Sequence, residues 1–316
     1  MSETPPDSAT GDCAPSATDA LQTSDRANWL AAIDEIGEEA GYFQTLGSKH
    51  WAYFVDESTT LLVTFETVAS IRSNPTQLPS GDALARKHGW SHLCLIADGN
   101  TWYRDPAVYR FFDRQVDDAF FEDFDSVVFY GAGMGGYAAC AFSVTAPGAA
   151  VVAIAPRATL NPARAGWDRR DLPSRRMDFT SRYGYAPDMT EGAGKVYIAF
   201  DPEFAPDAMH AALFARPWVI SLPTRHLGDL IETGLTQMGI LPQIIEAAVA
   251  NSLTPRSFAR LWRARRMHLP YLTALLGLAA KHPDREFRIC NNVTRRLNAP
   301  IFRKRLAELE AERRDP

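Results

Sequence analysis

Cysteine is scarce in this 316-residue chain, and the four present, Cys13, Cys94, Cys140 and Cys290, lie far apart with no C-x-x-C pair. No grouping of histidine and cysteine has the spacing of a zinc site, so neither a metal centre nor a disulfide framework is expected. Long apolar runs are missing as well, none approaching the roughly 18 residues needed to cross a bilayer. The first 25 residues lack the basic start and apolar middle of a signal peptide. A soluble, cytoplasmic protein is the expectation. With 46% hydrophobic and 22% charged residues, and glycine and proline at 20 and 21, the composition excludes pervasive disorder and collagen-like repeats. The length allows one large or two modest domains with a sizeable core.

The formal net charge of -5 averages two unlike parts. Residues 253–305 hold 13 Lys/Arg against Asp284 and Glu286, whereas the remainder holds 20 basic and 36 acidic residues. Charge alone therefore predicts a basic module that docks on the acidic remainder. Apolar residues such as Phe258, Leu261, Trp262, Leu272 and Leu276 support a docked helical core. Nothing in it matches a named nucleic-acid motif, and neither nucleic acid nor a membrane surface is the expected partner.

Residues 1–24 are rich in Ser, Thr, Ala, Pro and Asp with few large apolar side chains, and read as a disordered tail. A helical spacing of Trp29, Ile33, Ile36 and Ala40 follows, stopped by Gly41. Strands are predicted at 51–55, 60–67, 92–97, 126–130, 149–155, 195–200 and 217–222. Most are continuously apolar, as strands covered on both faces must be. Helices are predicted between them at 79–88, 106–121, 134–145 and 227–238. This alternation predicts a mostly parallel sheet with helices on both faces, over 25–240, whose crevice lies beyond the carboxyl ends of the strands. After Leu241 the strand signal stops, and 241–316 reads as an all-helical module.

The stretch DSVVFYGAGMGGYAACAF, starting at Asp125, runs from a buried strand through a glycine turn into an Ala-rich helix. Gly131 and Gly135 have the spacing of G-x-S-x-G, the nucleophile elbow, in which a sharp turn lifts its central residue above the sheet. The central residue here is Gly133. Such a site needs an acid and then a histidine at later strand ends. Asp201 directly follows KVYIAF, and His226 lies 25 residues further on, just past the strand PWVISL. On these residues the chain resembles the α/β-hydrolase superfamily, and Gly135–Ala139 is similar to the S-x-G-G-Y-A form of its elbow. The resemblance implies an α/β-hydrolase-like sheet and a remnant triad of Gly133, Asp201 and His226. Without a hydroxyl or thiol at Gly133 no acyl-enzyme can form, which makes a catalytically silent relative with a binding or scaffolding role the expected function. Glycine there also relieves the strained backbone a serine must adopt.

The same turn contains G-x-G-x-x-G, so Gly131, Gly133 and Gly136 are alternatively the phosphate-binding glycines of an oxidoreductase. The acidic residue that NAD binding asks for at the end of the next strand is absent. Arg157 stands in that region and suits the 2′-phosphate of NADP; FAD is the other candidate cofactor. Over the whole chain the sequence also resembles bacterial proteins often labelled phosphoadenosine phosphosulfate reductase. That label implies an S-G-G-x-D-S loop and an E-C-G-L-H nucleophile; neither is present, and Cys290 stands in RICNN.

Two further groups are candidate ligand contacts. Residues 157–190 form an arginine-rich, lid-like insertion in which Arg157, Arg169, Arg170 and Arg175 have the chemistry to clamp an anionic ligand, or to pair with the acidic residues around them. Asp98 and Trp102, beyond a strand end, and Met134, beside the elbow, are placed to line the same crevice.

Overall fold

The computed structural model describes residues 26–313; the predicted tail at 1–24 and Cys13 lie outside the described residues. The fold is α/β, built on one eight-stranded, mostly parallel sheet. In chain order the strands are β1 (Gly41–Leu46), β2 (His50–Val55), β3 (Thr60–Thr67), β4 (Ser91–Ala97), β5 (Ser126–Ala132), β6 (Ala150–Ile154), β7 (Lys195–Phe200) and β8 (Val219–Pro223). Their order across the sheet is β1-β2-β4-β3-β5-β6-β7-β8. The pairs β1/β2 and β2/β4 are antiparallel, and the others are parallel.

Successive side chains of the parallel strands enter two different cores. Phe129 packs on one face with Phe65, Tyr137 and Phe142; Val128 and Tyr130 pack on the other with Leu62, Val152 and Ile154. Both faces are buried, which is why these strands read as unbroken apolar runs. β1 was not predicted. Its sequence GYFQTL has no apolar run because it is a partly exposed edge strand. Gly41, read as a helix stop, opens it instead, and a Cβ there would lie 2.1 Å from the Phe54 carbonyl oxygen.

The helices have local causes. Asp105 caps the helix Pro106–Asp117 by accepting the Ala107 N–H, with proline in the first turn. Thr254 and Ser257 form a capping box on Pro255–Leu261.

The carboxy-terminal helices make two kinds of contact. The helix Leu241–Val249 belongs to the sheet's own core, where Ile244 and Ile245 join Tyr197, Leu222, Phe258 and Trp262. Further along, Leu272, Cys290, Val293, Phe302 and Leu309 form a small separate core. The charge-led docking expected of the basic segment is not how this contact is made. Among the described residues no arginine of 253–305 pairs with an acid of the sheet domain; contact is apolar, plus the Tyr197 hydroxyl donating to the Leu253 carbonyl at 2.9 Å. The ion pair at this junction has the opposite polarity, Lys87 and His88 reaching Glu246 at 2.8 Å each. Among the described residues no helix is long and apolar enough to cross a membrane.

His92 on β4 is 1% exposed, with Nε2 2.9 Å from the Thr64 hydroxyl. Burial disfavours its charged form and lowers its pKa from 6.5 to about 4. The unfolded chain therefore takes up this proton before the folded one does. Stability is complete above pH 6.5 and falls as pH drops towards 4, by up to about 3 kcal/mol from this group. Denaturant midpoints measured across that window are expected to fall less steeply for His92→Gln than for the wild type; parallel curves would reject the assignment.

Candidate functional site

The turn between β5 and the helix Met134–Phe142 is built by two steric requirements. A Cβ on Gly131 would lie 2.2 Å from the Gly135 carbonyl oxygen, and one on Gly135 would lie 2.5 Å from the Phe65 carbonyl oxygen on β3. Strand and helix approach so closely that neither position has room for a side chain. Gly133 at the apex is different. It has φ +55° and ψ −113°, a conformation costly for any other residue, yet a Cβ there meets nothing within 4 Å. Its N–H donates to the Ile154 carbonyl at 2.8 Å, and its own carbonyl accepts the Tyr137 N–H at 3.0 Å. The apex thus combines a costly backbone conformation with open space beside its Cα.

Asp201 and His226 lie at the carboxyl ends of β7 and β8. Asp201 is 2% exposed, and its two oxygens accept the Glu203 N–H at 2.9 Å and the Gly228 N–H at 2.8 Å. It ties its own turn to the loop that carries His226, a positioning task for both turns. The expected acid–histidine contact is made by another residue: His226 Nδ1 lies 2.8 Å from Glu203 Oε2. The ring also lies 5.8 Å from Tyr271, and φ of +67° holds the residue in a tight turn. Gly133 sits on the same edge two strands from β7, or about 10 Å at ~4.8 Å per strand spacing. Sequence order alone points to Asp201, which directly follows the strand, whereas Glu203 stands two positions further on, beyond Pro202.

A second polar group on this edge also went unread. The Tyr130 hydroxyl donates to Glu232 at 2.6 Å, and Glu66 at the end of β3 accepts the Ser80 N–H at 2.9 Å. Burial pushes both carboxyls up.

The predicted ligand contacts are largely engaged with the chain itself. Trp102, 3% exposed, donates its backbone N–H to the Met134 sulfur at 3.1 Å and its indole N–H to Asp171 at 2.8 Å. Arg157 lies over the Trp102 ring at 5.0 Å and faces Asp168 at 3.6 Å and Asp171 at 3.9 Å. Arg170 grips Asp168 at 2.8 Å and Asp207 at 2.6 Å. Arg175 donates to the carbonyls of Ala165 and Gly166, both at 3.1 Å. Arg170 therefore fastens the insertion to Asp207 of the body, and Arg175 ties down the insertion's own turn, whereas Arg157 makes only the longer ion pairs and its buried Nη1 has no hydrogen-bond partner among the described residues. Arg169 is exposed, and Asp98 lies at the end of β4 with its N–H on the Lys49 carbonyl.

The centre of this network is Asp168, whose side chain is 1% exposed. It accepts from Arg170 and from His210 Nε2 at 2.9 Å, while His210 Nδ1 accepts the Ala158 N–H. That second bond assigns the neutral ring with its proton on Nε2. Burial pushes the Asp168 carboxyl up, but hydrogen bonds from His210 and Arg170 and the charge of Arg157 outweigh it and hold the group below the usual range.

No family model matches the chain, and no curated protein sequence matches it. Among solved structures it is similar to an S-formylglutathione hydrolase from Agrobacterium tumefaciens, at 13% identity and TM-score 0.46, covering 66% of this chain and 91% of that one. It is also similar to the capsule O-acetyltransferase of Neisseria meningitidis serogroup A, at 11% identity and TM-score 0.42, covering 64% and 94%. A third likeness is to mouse alpha/beta hydrolase domain-containing protein 10, at 11% identity and TM-score 0.39, covering 66% and 98%. At these identities and TM-scores each neighbour's chemistry remains its own.

Proposed function

We propose that this α/β-hydrolase-like protein carries out no acyl transfer at its elbow and instead binds an anionic ligand. The observation that carries the reading is the apex. Gly131 and Gly135 keep the elbow's close approach, while Gly133 brings no hydroxyl, thiol or carboxyl to the open space above it. The nearby alternatives do not replace it. Cys140 and Ser143 are fully buried, the Ser143 hydroxyl donates to the Cys140 carbonyl, and burial pushes the Cys140 thiol up. Cys290 is equally buried, with its thiol also pushed up, which argues against a reductase-type nucleophile. The dinucleotide reading needs backbone N–H groups turned outward, whereas that of Gly133 is donated to Ile154. Support for an anionic ligand comes from the basic helices, whose charge the sheet domain leaves uncompensated.

The test is exposure of the purified protein to a fluorophosphonate probe and to p-nitrophenyl acetate. Neither covalent labelling nor turnover above the buffer rate is expected. Stoichiometric labelling, or ester turnover abolished by His226→Ala, would overturn the proposal.

A further inference from the structure

We infer that the groove between the last helices is a binding site for a diphosphate ester with an aliphatic body. A cavity of about 640 Å³ opens between the turn 262–267, the helix Leu269–Ala279 and the helix Pro283–Thr294. Its size is in the range of small-molecule sites. Five arginines rim it: Arg265, Arg266, Arg285, Arg288 and Arg296. Its floor is aliphatic, formed by Leu272, Leu275, Ile289 and Val293.

The decisive feature is how the local acids are used. Asp284 pairs with Arg313, and Glu286 holds Arg305 at 2.7 Å and 2.9 Å, with Glu308 and Glu312 also facing Arg305. None of the five rim arginines has a carboxylate partner among the described residues. Arg265 donates to the Tyr271 hydroxyl and the Trp262 carbonyl, Arg288 to the Asp284 carbonyl, and Arg296 to Asn292. These neutral acceptors orient the guanidinium groups without neutralising them. Arg285 and Arg288 lie three apart on the helix Pro283–Thr294 and Arg296 lies just past its end, all three lining the groove, where like charges repel. Holding such groups together is favourable when a multiply charged anion sits among them, and arginine's planar fork matches phosphoryl oxygens in pairs. Two phosphoryl groups fit a five-arginine rim better than one carboxylate does. The aliphatic floor then selects an ester with a hydrocarbon body over inorganic anions, and a concave site of this size favours a small ligand over a nucleic-acid strand. A neighbouring cavity shares Arg285 and Arg288 and is also lined by Lys281, His282 and Asp284, the last of which is paired with Arg313.

This inference deepens the anionic-ligand reading and rests on it, yet the two fail separately: ester turnover reports on Gly133, binding reports on the arginines. The experiment is calorimetric titration of the full chain with geranyl diphosphate, pyrophosphate, geraniol and a twelve-nucleotide oligo-dT, with thermal shift as a second readout. Geranyl diphosphate is expected to bind one site at least tenfold more tightly than pyrophosphate and to raise Tm, with no measurable binding of geraniol. The double variant Arg285→Ala/Arg288→Ala, two exposed positions, is expected to lose at least tenfold in affinity while keeping its Tm without ligand. Equal affinity for the two diphosphates, affinity unchanged in the double variant, or binding of oligo-dT without binding of either diphosphate would each overturn the inference.

Discussion

Replacing Asp168 by alanine is expected to destabilise the protein by about 3–5 kcal/mol, the usual cost of removing one member of a buried ion network. The carboxylate is 1% exposed and receives donors from Arg170 and His210 while facing Arg157 at 3.6 Å. Truncation leaves these groups desolvated and unpaired, and the adjacent Asp207, already bonded to Arg170, cannot reach all of them. The sign with pH follows from the lowered carboxyl pKa. Its stabilisation is present above the ordinary carboxylate range and is lost as pH falls through the lower folded value. At neutral pH the deficit of the variant should be at its full size. Urea denaturation at pH 7 measures it, and a loss below about 1 kcal/mol would show that the network is not structural.

The second large effect separates the glycines of the turn after β5. Gly131→Ala is expected to cost more than about 3 kcal/mol or to prevent folding, because its Cβ would lie 2.2 Å from the Gly135 carbonyl oxygen, backbone against backbone. Gly133→Ala meets no atom within 4 Å, so only the left-handed backbone penalty remains, roughly 1–3 kcal/mol. Gly133→Ser should therefore fold with a similar deficit. Thermal denaturation of the variants ranks them. Equal losses at Gly131 and Gly133 would mean that the turn does not separate close packing from an open apex.

The parallel strands were legible because each is covered on both faces and must be apolar throughout. β3 and β7 match their predicted limits, while β1, a partly exposed edge strand, offered no such signal. The glycine turn was legible because its glycines serve contacts within a few residues or across one strand. The partners of charged side chains were not. Arg170 reads equally well as an anion clamp or a structural pin, and the choice depends on Asp207, 37 residues away. His226 could be assigned a carboxylate by order along the chain, but Glu203 rather than Asp201 supplies it.

The sequence by itself determined the layered α/β architecture, the glycine turn between β5 and its helix, and the glycine at that turn's apex, since each depends on period, local sterics or residue identity. Only the tertiary structure decided which charges neutralise one another. Ion pairing depends on which side chains meet within a few ångströms, a property of packing that neither net charge nor spacing encodes. Arg170 of the insertion was thereby taken up by the buried Asp168 and Asp207, and Arg265, Arg266, Arg285, Arg288 and Arg296 were left facing an open groove.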